Sequence, residues 1–73
     1  MSKTAVKKRA ALVGQILRDT RIKQELSQQA LADMSGVDRK TVNRIENGHY
    51  SPNMETFLSF CEALEVKPSS FFK

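Results

Sequence analysis

Between residues 39 and 47 the chain carries Arg39, Lys40, Thr41, Asn43, Arg44 and Asn47, interrupted by Val42, Ile45 and Glu46. Wound as a helix, this stretch puts Val42 and Ile45 on one face. Arg39, Lys40, Asn43, Arg44 and Asn47 are left pointing outward, with no apolar residue among them. Guanidinium and ammonium groups donate to guanine O6 and N7 and to phosphates, and a carboxamide pairs bidentately with adenine. A helix is about as wide as the DNA major groove, so this face has the chemistry of a reading head for duplex DNA.

Such a head needs a mount, and the preceding residues supply the signals for one. Ser27 and Asp38 each carry a side-chain oxygen suited to accept the free N–H groups at a helix start. Between them lies Ser35-Gly36-Val37, where Gly36 takes a positive φ at little cost, as a sharp turn out of a helix demands. Ala30, Leu31, Met34, Val37, Val42 and Ile45 are spaced as one buried stripe per helix. Ala32 is small enough to let two helices cross closely.

Counted from Gln28, a small residue stands fifth (Ala32), glycine ninth (Gly36), and aliphatics fifteenth and eighteenth (Val42, Ile45). Leu26, Ser27, Gln28, Leu31, Val37, Glu46, Asn47, Gly48 and Pro52 complete the pattern. This conjunction resembles the helix-turn-helix of the phage repressor and Cro family, the xenobiotic-response-element-like regulators, over roughly residues 12–72. The resemblance implies an all-α, lambda-repressor-like bundle of five short helices. In it, helix 38–47 enters the major groove, and Arg39, Lys40, Thr41, Asn43 and Arg44 meet base edges and the nearest phosphates. The helix starting at Ser27 crosses the DNA backbone, its N-terminus and the Gln28 side chain meeting a phosphate. Asn47 and the following loop, with His49 and Tyr50, hold phosphates, although Tyr50 equally suits closure of the core. The positions matching Arg21 and Glu46 form an ion pair beneath the DNA-binding surface. Glutamine is frequent at the front of the family's reading helix. Arg39 and Lys40 stand there in this chain, which favours a different sequence preference.

Seventy-three residues suffice for one domain. A chain of this size buries only about 60% of its unfolded surface, so dimerisation would add stability. The formal net charge is +4, and it is unevenly placed: residues 1–50 sum to +5 and residues 51–73 to −1. A basic front suits a polyanion. The single cysteine, Cys61, excludes an internal disulfide and reads as a core residue. No apolar run has the length of a membrane span or signal-peptide core, and a reducing cytoplasm is the expected compartment.

Residues 1–11 hold Lys3, Lys7, Lys8 and Arg9 and no acid. This basic extension suits either a DNA-following arm or a solvated tail, and either prolongs the first helix or lies loose. From Leu12 to about Lys23, Val13, Ile16, Leu17 and Thr20 form an amphipathic stripe. The helix stops near Glu25, where the family usually has glycine, so a left-handed backbone there is slightly strained. Asn47-Gly48 and Ser51-Pro52 mark a loop, and Asn53 caps a helix to Leu64. Phe57, Leu58, Cys61 and Leu64 are placed inward there, with Met54 leading and Phe60 off that face. Pro68 starts a last turn ending in Phe71-Phe72. The cluster Phe60, Leu64, Phe71 and Phe72 is the expected dimer surface, since exposed apolar clusters mark interfaces.

The sequence has no nucleophile–base pair, metal-ligand cluster or phosphate loop, and so no enzyme is expected. Neither a cofactor, a metal nor a small-molecule ligand is expected. The reading is a homodimeric, sequence-specific regulator, a repressor, acting on a pseudo-palindromic operator in double-stranded DNA. The alternative is an antitoxin-type protein that binds a toxin as well as DNA.

Overall fold

The computed structural model describes residues 3–72, with side chains from Lys8 onward. It contains four α-helices, α1 (Lys3–Lys23), α2 (Gln28–Ser35), α3 (Arg39–Glu46) and α4 (Met54–Leu64), and a closing 3-10 turn (Pro68–Phe71). The architecture is all-α, and the fifth expected helix is only that 3-10 turn. No helix among the described residues is long and apolar enough to cross a membrane.

Local chemistry sets most boundaries. The Ser27 hydroxyl accepts from the Ala30 N–H at 2.9 Å, Asp38 Oδ1 from the Thr41 N–H at 2.8 Å, and Asn53 Oδ1 from the Thr56 N–H at 2.8 Å. Each therefore satisfies one of the orphan donors of its helix. Gly36, at φ 71°, closes α2, and the Val37 N–H then returns to the Ala32 carbonyl at 3.0 Å.

Helix α1 begins at Lys3, well before the Leu12 expected from its apolar stripe. Ala, Lys and Arg are strong helix formers, and nothing before Gly14 breaks the run. The Lys3 and Lys7 side chains lie outside the described ones. The helix ends through Glu25 at φ 59°, and α4 ends through Glu65 at φ 55°. Both are left-handed positions where a side chain costs about 1–2 kcal/mol relative to glycine.

The core joins Leu17 of α1, Leu31 and Ala32 of α2, Val42 and Ile45 of α3 and the inner face of α4. That inner face is Phe57, Phe60, Cys61 and Leu64, one stripe at i, i+3, i+4 and i+7. Phe60 is 1% exposed, so its expected outward position is corrected, while Leu58 and Met54 are exposed instead of buried. Helix α4 is apolar around much of its circumference and offers two stripes of helical spacing. Burying Phe60 removes more apolar area from water than burying Leu58.

The expected dimer cluster changes accordingly. Phe60, Leu64 and Phe71 fill the monomer's core, with Phe71 meeting the Phe57 ring edge-on at 5.0 Å, and only Phe72 is exposed. Met34, expected inside, is also exposed. The inward face of α2 is Gln28, Leu31, Ala32 and Ser35, a stripe whose polar ends hide it from a hydrophobicity reading. Burial pushes the Cys61 thiol pKa up, as for a small core hydrophobe.

Candidate nucleic-acid interface

Helix α3 presents the candidate face. Val42 and Ile45 are fully buried, and Arg39, Lys40, Asn43, Arg44 and Asn47 are exposed, with Thr41 half-buried at the edge. The capped first turn holds the front of the helix. Thr41, through its hydroxyl and then its backbone N–H, keeps the Asp38 pKa below the usual carboxylate range. A carboxylate that accepts such bonds is favoured in its charged form.

The one acid in α3 points inward. Glu46 receives Arg21 in a two-point bond, Nε to Oε2 at 2.7 Å and Nη2 to Oε1 at 2.9 Å. Arg21 Nη1 also donates to the Leu26 carbonyl at 2.7 Å, tying the segment between α1 and α2 to the pair. Both charged residues are buried, and the pairing raises the Arg21 pKa. Glu46 is thus neutralised from beneath, and the outer face of α3 keeps Arg39, Lys40 and Arg44 without an acid among them.

Two small residues of α1 bring α3 onto this support. A Cβ built on Gly14 would lie 2.1 Å from the Ile45 carbonyl oxygen, and one on Gly48 would lie 3.2 Å from Ala11. Any larger residue at 14 would push the helices apart. Sequence reading missed Gly14, although its spacing from Leu17 and Arg21 places all three on one helical face.

The polar residues flanking the face are held rather than free. Gln28 Nε2 donates to Glu46 Oε1 at 3.1 Å, and Gln28 Oε1 accepts from Asn43 Nδ2 at 3.4 Å. Asn47 Nδ2 donates to the Asn43 carbonyl at 2.9 Å and to Asn43 Oδ1 at 3.2 Å. Tyr50 does not close the core. It is exposed, with Arg44 Cζ 5.9 Å from its ring centroid, within cation–π range. His49 is exposed at the loop after α3, its N–H bonded to the Arg44 carbonyl at 2.9 Å. Arg39, Lys40, Asn43, Arg44, Asn47 and His49 therefore belong to one exposed helix-and-loop surface, and Gln28 lies at its inner edge.

Residues 17–71 match the model of a helix-turn-helix family. An uncharacterised HTH-type transcriptional regulator of Bacillus subtilis, YgzD, is 34% identical over 56 residues, covering 77% of this chain and 85% of that protein. Among solved structures, the restriction-modification controller protein C.AhdI of Aeromonas hydrophila superposes with a TM-score of 0.84 at 35% identity, over 86% of this chain and 96% of that one. The P22 c2 repressor, solved with a synthetic operator, superposes at 0.78 with 31% identity, over 84% and 92%. A paired helix unit with a polar outer face, and these matches across most of its length, lead to one conclusion: the chain belongs to the Cro/C1-type helix-turn-helix family of DNA-binding transcriptional regulators.

Proposed function

We propose that this protein is a transcriptional repressor that binds a pseudo-palindromic operator as a homodimer, with α3 of each copy in the major groove. The observation that carries the reading is the exposed face of α3 with its C-cap Asn47, which bears three cations and two carboxamides, no acid, and a buried anchor beneath. Arg39 and Lys40, at the front of the helix, address bases. Asn43 and Arg44 share base edges and the nearest phosphates, and Thr41 lies beside them. Asn47, His49 and the backbone N–H groups at the start of α2, from Gln28 on, follow the DNA backbone, where helix N-termini suit phosphates. The likeness to a repressor solved with its operator supports the same partner for this chain.

A single α3 spans only a few base pairs, so a two-fold pair reading half-sites about 34–36 Å apart supplies the rest of the specificity. Support for pairing comes from the apolar surface around Phe72. Leu12, Met54 and Phe72 are 61%, 69% and 65% exposed. They line two neighbouring hollows that share Arg9, Val13 and Phe72. Apolar exposure of this kind marks an interface. Sedimentation of the Phe72→Ala variant is expected to show a shift toward monomer, with the helical content retained by circular dichroism.

Gel shifts against the protein's own upstream DNA, with random-sequence competitor, test the reading. Arg39→Ala is expected to cost about 1–3 kcal/mol on the specific site and to relax preference at one base pair. Equal affinity of the wild type for operator and competitor would refute sequence-specific regulation.

A further inference from the structure

We infer that Gln28 is a specificity-determining positioning residue, which carries the polarity of the buried Arg21–Glu46 pair out to Asn43 and so fixes which way the Asn43 carboxamide faces a base. The inference rests on the proposal that α3 reads DNA, and it assigns to Gln28 a role other than holding a phosphate.

The two ends of a carboxamide differ in what they bond, and so the partners decide which way it faces. Arg21 can only donate, and it donates to both oxygens of Glu46. Glu46 therefore stands as an acceptor toward its remaining neighbour, and Gln28 must offer it the NH2 group, as found at 3.1 Å. The Gln28 carbonyl then faces α3, where it can only accept. Asn43 must in turn present its NH2 to Gln28, as found at 3.4 Å, leaving its carbonyl oxygen toward Asn47. Asn47 Nδ2 donates to that oxygen at 3.2 Å and so holds the same orientation from the far side. Reversing any one amide would set NH2 against NH2 or oxygen against oxygen along the chain.

Asn43 is exposed, and each end of its amide keeps one capacity unused within this chain of bonds: a second N–H on Nδ2 and a second lone pair on Oδ1. Those two are what adenine requires, N7 accepting and the N6 amino group donating. With the amide direction fixed, adenine fits with N7 on the α2 side and N6 on the Asn47 side. The same base pair reversed does not fit. A buried ion pair thus selects the strand on which an adenine is read, although neither of its members reaches the surface.

The test is selection from a randomised duplex library, comparing wild type, Gln28→Met, Asn43→Ala and the double variant, each verified as folded by circular dichroism at the binding temperature. Gln28→Met keeps the side chain's length and removes its hydrogen bonding. The expected result is that Asn43→Ala and Gln28→Met flatten an adenine preference of roughly tenfold at the same base pair. Other positions keep their preferences, and the double variant is no flatter there than Asn43→Ala alone. A Gln28→Met profile that matches the wild type apart from a uniform loss of affinity would overturn the inference and return Gln28 to phosphate binding. An Asn43→Ala profile identical to the wild type's would overturn it as well. A wild-type chain without preference at any position would refute the DNA-reading proposal itself, a result distinct from both.

Discussion

Where α1 lies under α3, the packing is polar and very close: a two-point Arg21–Glu46 bond, and a glycine whose absent Cβ leaves room for the Ile45 carbonyl. Where α4 meets the closing turn, the packing is aromatic: Phe57 and Phe71 edge to face, with Phe60 and Leu64 buried beside them. Both regions are buried, but they specify different things. Hydrogen-bonded charges fix direction and register, because a displaced partner leaves a buried charge alone. Apolar contacts fix volume, and tolerate exchange among shapes of equal size. The directional chemistry lies beneath the helix proposed to read DNA, where orientation decides function, and the tolerant chemistry lies away from it.

The largest expected effect sets one region against the other with near-isosteric changes. Glu46→Gln should cost about 3–5 kcal/mol, since Arg21 stays buried without its counter-charge. Leu64→Met should cost less than about 1.5 kcal/mol. Urea unfolding of both variants measures the pair. Equal losses would mean that the seam is no more directional than the aromatic end.

Next in size is Gly14→Ala. One methyl group placed 2.1 Å from a backbone oxygen forces α1 and α3 apart. An overpacking cost of about 1–3 kcal/mol is expected, together with weaker DNA binding, because the displaced element is the helix proposed to read DNA. Thermal melts and binding isotherms on the same samples check both, and an unchanged melting temperature would show that the close approach is not needed.

A smaller effect concerns the strained ends. Glu65→Gly should raise stability by about 1 kcal/mol, because glycine adopts the left-handed cap of α4 without a Cβ penalty. A thermal melt reads it, and a lowered midpoint would contradict the strain argument.

The smallest is a pH dependence of one helix cap. Asp38 caps α3, whereas α4 is capped by Asn53, which does not titrate. Folding lowers the Asp38 pKa, so its stabilisation is fully present above the unfolded value, about pH 3.9. It is lost as pH falls through the lower folded value. Acid titration followed by circular dichroism should therefore separate the wild type from Asp38→Asn only below about pH 4, the wild type losing more. Identical acid limbs would remove the cap's titration from the account.

The same contrast explains what could be read in the sequence. Ser27, Asp38 and Asn53 cap through their own oxygens, and Gly36 turns because it lacks a Cβ, so these boundaries are written locally. The face of α3 is legible because only Val42 and Ile45 are apolar in it, and one stripe is possible. In α4, Met54, Phe57, Leu58, Phe60, Cys61, Ala63 and Leu64 allow more than one stripe, and tertiary packing chooses the one containing Phe60. For Gln28, half-buried and bonded to Glu46, residue type alone leaves open whether it meets a phosphate or a neighbouring side chain. Gly14 shows its purpose only once α3 lies 2.1 Å from its missing Cβ. The start of α1 was obscured because helix propensity, and not an apolar stripe, carries the helix back to Lys3.

The central claim is that the face from Arg39 to Asn47 enters the major groove. Guanine N7 lies in that groove, so dimethyl sulfate protection of bound upstream DNA tests the claim most directly. The predicted pattern is two clusters of shielded guanines about one helical turn apart, with Arg39→Ala restoring reactivity at one guanine in each. A saturated complex in which every guanine N7 reacts as in free DNA would contradict it.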